Sequence, residues 1–242
     1  MPLAISRQDV TWIHDSLSVP RWIAYFDLLG TRELLAAGRE NDVFDAYDRA
    51  VDELQKQRDP TIRHAWFSDS FLMIAPDDSG ISFRNIDEVA RWFAYFLLCT
   101  GVPLRGAISC DRSCADFENR VFIGKALVEA YEYGEGQDWI GLILCPTAMN
   151  RLRVLHLPPE ERFNYVLYDV PWKRRRKRRP VAAPNEVAAC ILGNWILMNG
   201  RNPCLDALHG MASSNSRNDV KHKYERTISF INRSMRSFQQ NG

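Results

Sequence analysis

The order of apolar runs and helical periodicities in this 242-residue chain predicts an α+β fold with a βαββαβ core and additional C-terminal helices. Three observations carry that reading. Residues 22–27 are an unbroken apolar, aromatic-rich run that ends in Asp27, the pattern of a strand buried on both faces. Residues 64–75 hold two β-type runs meeting at Ser68-Asp69-Ser70, a hairpin with Asp69 at its tip. Helical spacing then separates the strands: Val43, Tyr47, Val51 and Leu54 share one face of residues 41–57, and residues 87–100 form a strongly apolar helix.

Taken in order, residues 1–21 are a helical or irregular lead-in. After the first strand, Leu28, Leu29 and Gly30 turn the chain and a helix opens at Thr31. Asn41 or Asp42 can cap the 41–57 helix. Residues 76–80 are loop, 103–110 another strand, and 111–119 a polar loop. Residues 122–133 read as a turn into a helix, 140–144 as a strand and 165–168 as one more. Residues 186–198, 203–211 and 220–238 have helical spacing. The core helices are expected on one face of a partly antiparallel sheet.

With 46% hydrophobic residues the chain can bury a full core, so one domain with embellishments is expected. The divisions are a lead-in over 1–21, a main domain over 22–170, an exposed basic loop over 171–184, and a helical extension over 185–242 packed on the same domain. No apolar stretch reaches spanning length, and no basic segment followed by an apolar one opens the chain, so a soluble cytoplasmic protein without a membrane is expected. None of the six cysteines pairs in a CxxC spacing, which favours reduced core thiols over a disulfide frame or a zinc site.

The net charge of +1 conceals an asymmetry, because the seven cations of residues 173–179 leave the rest of the chain at −6. Prolines flank that run, as expected of a loop. It reads as a solvated loop, a nucleic-acid-binding tail or a triphosphate-attracting segment. No aromatic residue interleaves it, so base stacking is not indicated and nucleic acid is not the expected partner.

Asp27 and Asp69, each at the mouth of an apolar strand, supply what a divalent-metal phosphoryl-transfer site needs; the plain alternatives are a strand cap and a hairpin tip. The order Phe26-Asp27-Leu28-Leu29-Gly30-Thr31, Phe67-Ser68-Asp69-Ser70, Leu104-Arg105-Gly106-Ala107-Ile108 and Ile123-Gly124-Lys125-Ala126-Leu127 resembles the class III nucleotidyl cyclases. Those proteins carry an FxDIxGFT strand end, a GDS-like hairpin, an LRxGI strand and a GxxVN helix. The similarity spans residues 22–145 and, within the family, is nearest in wording to the pyrimidine cyclases of bacterial Pycsar anti-phage systems.

The resemblance implies a ferredoxin-like, palm-type cyclase core. It also implies two Mn²⁺ or Mg²⁺ ions per active site, held by Asp27, Asp69 and the backbone of Leu28. Amides of Leu29, Gly30 and Thr31 would cradle the triphosphate, and Arg105 matches the family's phosphate-binding arginine. The family's purine-reading Lys and Asp fall on Ala65 and Val121, which cannot hydrogen-bond a purine edge. That favours a pyrimidine, UTP or alternatively CTP, with Tyr47 covering the base or packing in the core. The family's transition-state Asn and Arg fall on Val128 and Glu132. Lys125, Lys221 and Lys223 are the substitute cations put forward, Lys223 as a substrate-binding residue.

The implied assembly is a head-to-tail homodimer with active sites at its interface, whose product is read by a separate cyclic-nucleotide-binding effector in antiviral defence. Two other function classes stay open. One is a catalytically silent cyclase-fold nucleotide sensor; the other is a nucleic-acid-binding adaptor acting through residues 173–179.

Overall fold

The computed structural model describes residues 19–31, 61–159, 164–173, 186–194 and 201–240, with scattered positions between 36 and 52. β1 (Pro20–Leu28) lies inside the sheet, with a neighbouring strand on each side. Its nine residues alternate between two packed faces, which is why the sequence shows a continuous apolar run rather than an alternating one. Trp22, Ala24, Phe26 and Leu28 join one core cluster, while Ile23 and Tyr25 join another on the opposite face.

β2 (Arg63–Phe67) and β3 (Ser70–Ile74) form the expected hairpin. Its two-residue turn is Ser68-Asp69, with Ser68 at φ 55, a left-handed position that tight hairpin turns require. α1 (Gly80–Cys99) follows, and then β4 (Leu104–Asp116). The sheet order β2-β3-β1-β4 is antiparallel throughout. Between β1 and β2, Thr31, Ala36, Glu40, Asn41, Phe44, Asp45, Asp48, Val51 and Asp52 are helical. The expected βαββαβ core in ferredoxin-like order is therefore present.

β5 (Val121–Gly124) folds back on β4 and leads into α2 (Lys125–Gly136). β6 (Gly141–Leu144) then pairs parallel to β4. α3 (Pro146–Val154) starts on a proline, whose missing N–H is harmless in a first turn. β7 (Tyr165–Leu167) and β8 (Ala188–Cys190) close the sheet beyond β6. α4 (Pro203–Ser214) and α5 (Asn218–Gln240) complete the chain.

Several expectations are corrected. α1 begins at Gly80 rather than 87, because the Ser79 side chain accepts the Ser82 amide at 3.1 Å and caps the helix two turns early. The stretch 111–119 is not a loop: β4 runs on to Asp116 and pairs with β5. Residues 186–194 are not the start of the expected 186–198 helix, since 188–190 are β8, and 195–198 lie outside the described residues; a short apolar run cannot be told from a helix by periodicity alone. α3 was not expected. Beyond the core, a further helix covers the other face of the sheet. α1 packs Phe83, Ile86, Ala90 and Phe93 on the Phe26 side, whereas Ala126 and Ala130 of α2 pack on the Tyr25 side.

That division positions the site. The α1 face is dry and aromatic: the Phe93 ring lies 4.3 Å from Phe71 and 5.1 Å from Phe26, centroid to centroid. Burying each such ring contributes about 1.5–3 kcal/mol. Asp27, with odd parity, points to the α2 face instead. α5 is fixed by Thr227, whose hydroxyl accepts the Ile140 amide at 3.0 Å and donates to the Ile140 carbonyl at 2.8 Å. No helix among the described residues is long and apolar enough to cross a membrane.

Candidate active site

The end of β1 delivers Asp27 to a cavity of about 340 Å³. Its walls include Asp27, Leu28, Leu29, Gly30, Thr31, Asp69 and Arg105, with Tyr25, Ser70, Tyr131 and Glu135. Seven of the nine sequence-predicted site residues thus meet in one place. Lys223, on α5, is not among the lining residues. Lys125 lines a different cleft with Val128 and Glu132. Tyr47 and most of the basic run, 174–179, lie outside the described residues.

Strand register explains the convergence. Asp27 is directly opposite Ser70 on β3 and Arg105 on β4. Beyond that pair the Leu28 amide donates to the Asp69 carbonyl at 2.8 Å, which pins the hairpin tip to the end of β1. Gly30 then takes φ 81, a left-handed turn that a Cβ would strain, and Thr31 starts the helix. The Thr31 hydroxyl donates to the Leu28 carbonyl at 3.3 Å. The Leu29 amide donates to the Pro103 carbonyl at 2.8 Å. That amide is engaged within the fold and is not free for the expected triphosphate cradle.

Arg105 is only 5% exposed, and its guanidinium is held from three sides. Nη2 pairs with Asp27 Oδ2 and, at 3.1 Å, with Glu135 Oε1. Nη1 donates to the Gln137 carbonyl at 3.1 Å. Nε is buried without a hydrogen-bond partner. Gln137, fully buried, donates to the Gly106 carbonyl at 2.9 Å and accepts from Trp139 Nε1 at 2.7 Å. Burial pushes the Asp27 carboxyl up to about 7; Arg105 opposes the rise and neighbouring Glu135 adds to it. Asp27 therefore holds its proton to higher pH than an ordinary carboxyl.

Glu135 was missed in the sequence, and Lys173 was read only as part of the basic run 173–179. Glu135 follows Tyr131 by four residues, so both lie on one stripe of α2 beside the sheet-facing Ala126 and Ala130; extending that stripe would have found it. Lys173 reaches the site through a strap. Its amide donates to the Gly136 carbonyl at 2.9 Å, Trp172 bridges to Gln137, and Lys173 Nζ lies 3.8 Å from Glu135 Oε2. No spacing rule announces such a contact.

A second cavity of about 610 Å³ adjoins the first and shares Tyr25, Ser70 and Tyr131 with it. Phe67, Leu72, Phe122 and Leu127 make it mostly apolar. The Tyr25 hydroxyl is hydrogen-bonded to Ser70 Oγ at 2.8 Å, and the Tyr131 ring stands edge-on to Tyr25 at 5.4 Å. Val128 and Glu132, at the positions of the resemblance's Asn and Arg, line this second cavity.

Among the described residues no three His, Cys, Asp or Glu side chains converge as a metal cluster. The acidic and carbonyl oxygens on the first cavity's walls include the Asp27, Asp69 and Glu135 carboxylates and the Leu28 carbonyl. They are hard oxygens, which suit Mg²⁺ or Mn²⁺ in kind. Arg105 is the counter-ion to Asp27 in this arrangement.

No family model and no curated protein matches the chain. Among solved structures it is similar to the guanylyl cyclase Cya2, at TM-score 0.44 and 10% identity, over 55% of this chain and 77% of that one. It is also similar to the catalytic core of a rhodopsin-guanylyl cyclase with converted specificity in complex with ATPalphaS, at TM-score 0.46 and 8% identity, over 56% and 81%. A class III adenylyl cyclase-like ATP-binding protein from Pseudomonas aeruginosa aligns at TM-score 0.40 and 15% identity, over 55% of this chain and 34% of that one.

Proposed function

We propose that the chain is a nucleotidyl cyclase that converts a pyrimidine nucleoside triphosphate, UTP or alternatively CTP, to its 3′,5′-cyclic monophosphate and pyrophosphate. The observation that carries this is the Leu28–Asp69 backbone bond at 2.8 Å, which brings both acidic residues to one cavity beside a buried arginine. In the reaction the ribose 3′-oxygen forms a bond to the α-phosphorus, its proton leaves, and the bond from the α-phosphorus to the bridging oxygen of pyrophosphate breaks.

Asp27, Asp69 and the Leu28 carbonyl would hold Mn²⁺ or Mg²⁺, which when bound supplies an acidified 3′-hydroxyl and charge neutralisation of the leaving pyrophosphate. Arg105 faces the same cavity and offers a guanidinium matched to phosphate oxygens. Lys173, paired with Glu135, adds a second cation beside it. Both are paired with carboxylates, so they would answer phosphate charge in place of the resemblance's Asn and Arg only on exchanging those partners. The adjoining apolar cavity, with Tyr25, Phe67 and Tyr131 on its walls, suits a flat base, and Ala65 and Val121 offer a purine no hydrogen bond. Tyr47 is retained as the residue expected to cover the base.

Phe67, Val128 and Tyr131 are 46%, 55% and 47% exposed, an apolar rim that a head-to-tail second copy would cover. An antiviral role, with a separate cyclic-nucleotide-binding effector reading the product, extends the proposal and rests on the motif resemblance alone.

The test is incubation of the purified protein with each nucleoside triphosphate and Mn²⁺, followed by identification of products. A cyclic pyrimidine nucleotide with pyrophosphate is expected; nucleoside diphosphate with inorganic phosphate would make the protein a hydrolase. Substituting Tyr47 should alter the UTP-to-CTP preference. A second reading, a silent nucleotide sensor, is favoured by the Arg105–Asp27 ion pair, and tight nucleotide binding without any product would establish it.

A further inference from the structure

Arg105 Nη2 meets two carboxylates at once, Asp27 Oδ2 and Glu135 Oε1, the second at 3.1 Å. A second carboxylate on the same nitrogen is more than neutrality of one guanidinium asks. Its position is also electrostatically unfavourable. Glu135 is the penultimate residue of α2, and no basic residue occupies that last turn. The partial negative charge of a helix C-terminus disfavours an acid there.

The Glu135 side chain is nonetheless held in place. Its other oxygen, Oε2, lies 3.8 Å from Lys173 Nζ, and the Lys173 amide fastens the strap to the Gly136 carbonyl at 2.9 Å. The same end of α2 grips Arg105 again, because Nη1 donates to the Gln137 carbonyl at 3.1 Å. Residues 135 and 137 thus hold both amino ends of the guanidinium, whereas Asp27 holds one.

We propose that Glu135 is a positioning residue that keeps hold of Arg105 when Asp27 exchanges the guanidinium for a divalent cation. The inference rests on reading Asp27 as a holder of that cation. A guanidinium and a divalent ion on one carboxylate repel each other, and strongly so at a buried site. Asp27 therefore has to give up Arg105 before it can serve. A buried guanidinium that lost its one anion would be an uncompensated charge, which opposes the exchange. With Glu135 already in contact, Arg105 stays paired and Asp27 is released. The guanidinium also stays on the cavity wall that it shares with Asp27 and Asp69.

Binding of Mn²⁺ alone to the full-length protein tests this, read from the electron paramagnetic resonance of the free ion. Wild type should bind it. Glu135→Gln removes the charge and keeps the shape; it should melt cooperatively without the ion, yet bind Mn²⁺ roughly tenfold or more weakly. Glu135→Asp returns the charge one methylene short and should recover part of that loss. The double variant Arg105→Gln with Glu135→Gln removes the competitor from Asp27, and should bind Mn²⁺ more tightly than Glu135→Gln alone. Equal affinity in wild type and Glu135→Gln would overturn the inference and leave the cyclase reading standing. A double variant no tighter than Glu135→Gln would make Glu135 a ligand of the ion itself, and would overturn it too. A wild type that binds no Mn²⁺ would sink both readings.

Discussion

The Asp69 carbonyl accepts the Leu28 amide at 2.8 Å, so a hairpin tip is fixed to the end of a strand remote from it in sequence. The bond is made by backbone alone, and the Asp69 side chain is not needed for it. Asp27 differs, since its carboxylate is the ion-pair partner of a guanidinium that is 5% exposed.

Two alanine substitutions should therefore separate chemistry from stability. Asp69→Ala is expected to abolish cyclisation, by about 10²-fold or more, with stability changed by no more than about 0.5 kcal/mol. Asp27→Ala is expected to abolish it too, and also to destabilise the fold by roughly 2–4 kcal/mol, because Arg105 is left with Glu135 as its sole carboxylate. Product chromatography and denaturant melts on both variants check this. Equal stability losses would mean that the Asp69 side chain has a structural role.

Glu135→Gln tests the third acidic group. Arg105 would keep Asp27 and the Gln137 carbonyl, so a loss of about 1–2 kcal/mol is expected. Removing the Glu135 charge also removes one cause of the raised Asp27 value. The Asp27 carboxyl should then titrate below its present value of about 7, as read by carbon-13 NMR of the side chain. An unshifted titration would show that the two carboxyls do not interact.

The central strand, the hairpin with Asp69 at its tip and the α1 helix were legible because each has a strong local signature: an apolar run, a turn between β-type runs, an apolar helix. Asp27 and Asp69 stood out for the same reason, as polar interruptions of those signatures, whereas Arg105 was put forward through the motif resemblance alone. β8 was not, since residues 187–192 are apolar throughout and carry neither period. Its strand state comes from pairing with β6 and β7, a tertiary effect. The pairing of Glu135 with Lys173 stayed hidden for a related reason. Their partner in common is each other, brought together by a strap between 171–173 and the end of α2, and nothing local marks it. Lys223 was put forward because it seemed unpaired in sequence, which says nothing of where its helix docks.

Asp87 gives a pH signature independent of the site. It is fully buried, accepts from the Tyr165 hydroxyl at 2.9 Å and pairs with Arg91 at 2.9 Å. Burial nonetheless pushes it up to about 6, with Arg91 and Tyr165 opposing. A raised folded-state value means that the native state holds this proton after the unfolded chain has lost it. The group's contribution is thus full below about pH 4, is lost as pH rises to about 6, and is flat above that. The loss is on the order of 2–3 kcal/mol. Asp87→Asn should remove it, so the wild-type-minus-variant stability should fall between pH 4 and 6.5 in denaturant melts. A rise over that interval would show that Arg91 dominates and Asp87 is ionised throughout.

Gly124 joins β5 to α2 at φ 152, and a Cβ there would lie 2.4 Å from the Ser113 Cα and 2.5 Å from the Arg112 carbonyl. Both obstacles are backbone of β4, so neither can swing aside as a side chain could. Gly124→Ala must separate β5 from β4 or rotate the first turn of α2, at about 2–4 kcal/mol. Rotation would also displace Glu135 at the other end of that helix, and with it the grip on Arg105. The expected outcome is a fold destabilised by that amount in denaturant melts, with cyclisation reduced although the substitution lies outside the cavity. Gly30→Ala makes the contrast. Its φ of 81 is strained for alanine, but a Cβ there would touch nothing within 4 Å, so roughly 1–2 kcal/mol is expected. If the two variants lost equal stability, backbone conformation rather than close approach to β4 would be the reason that position 124 is glycine.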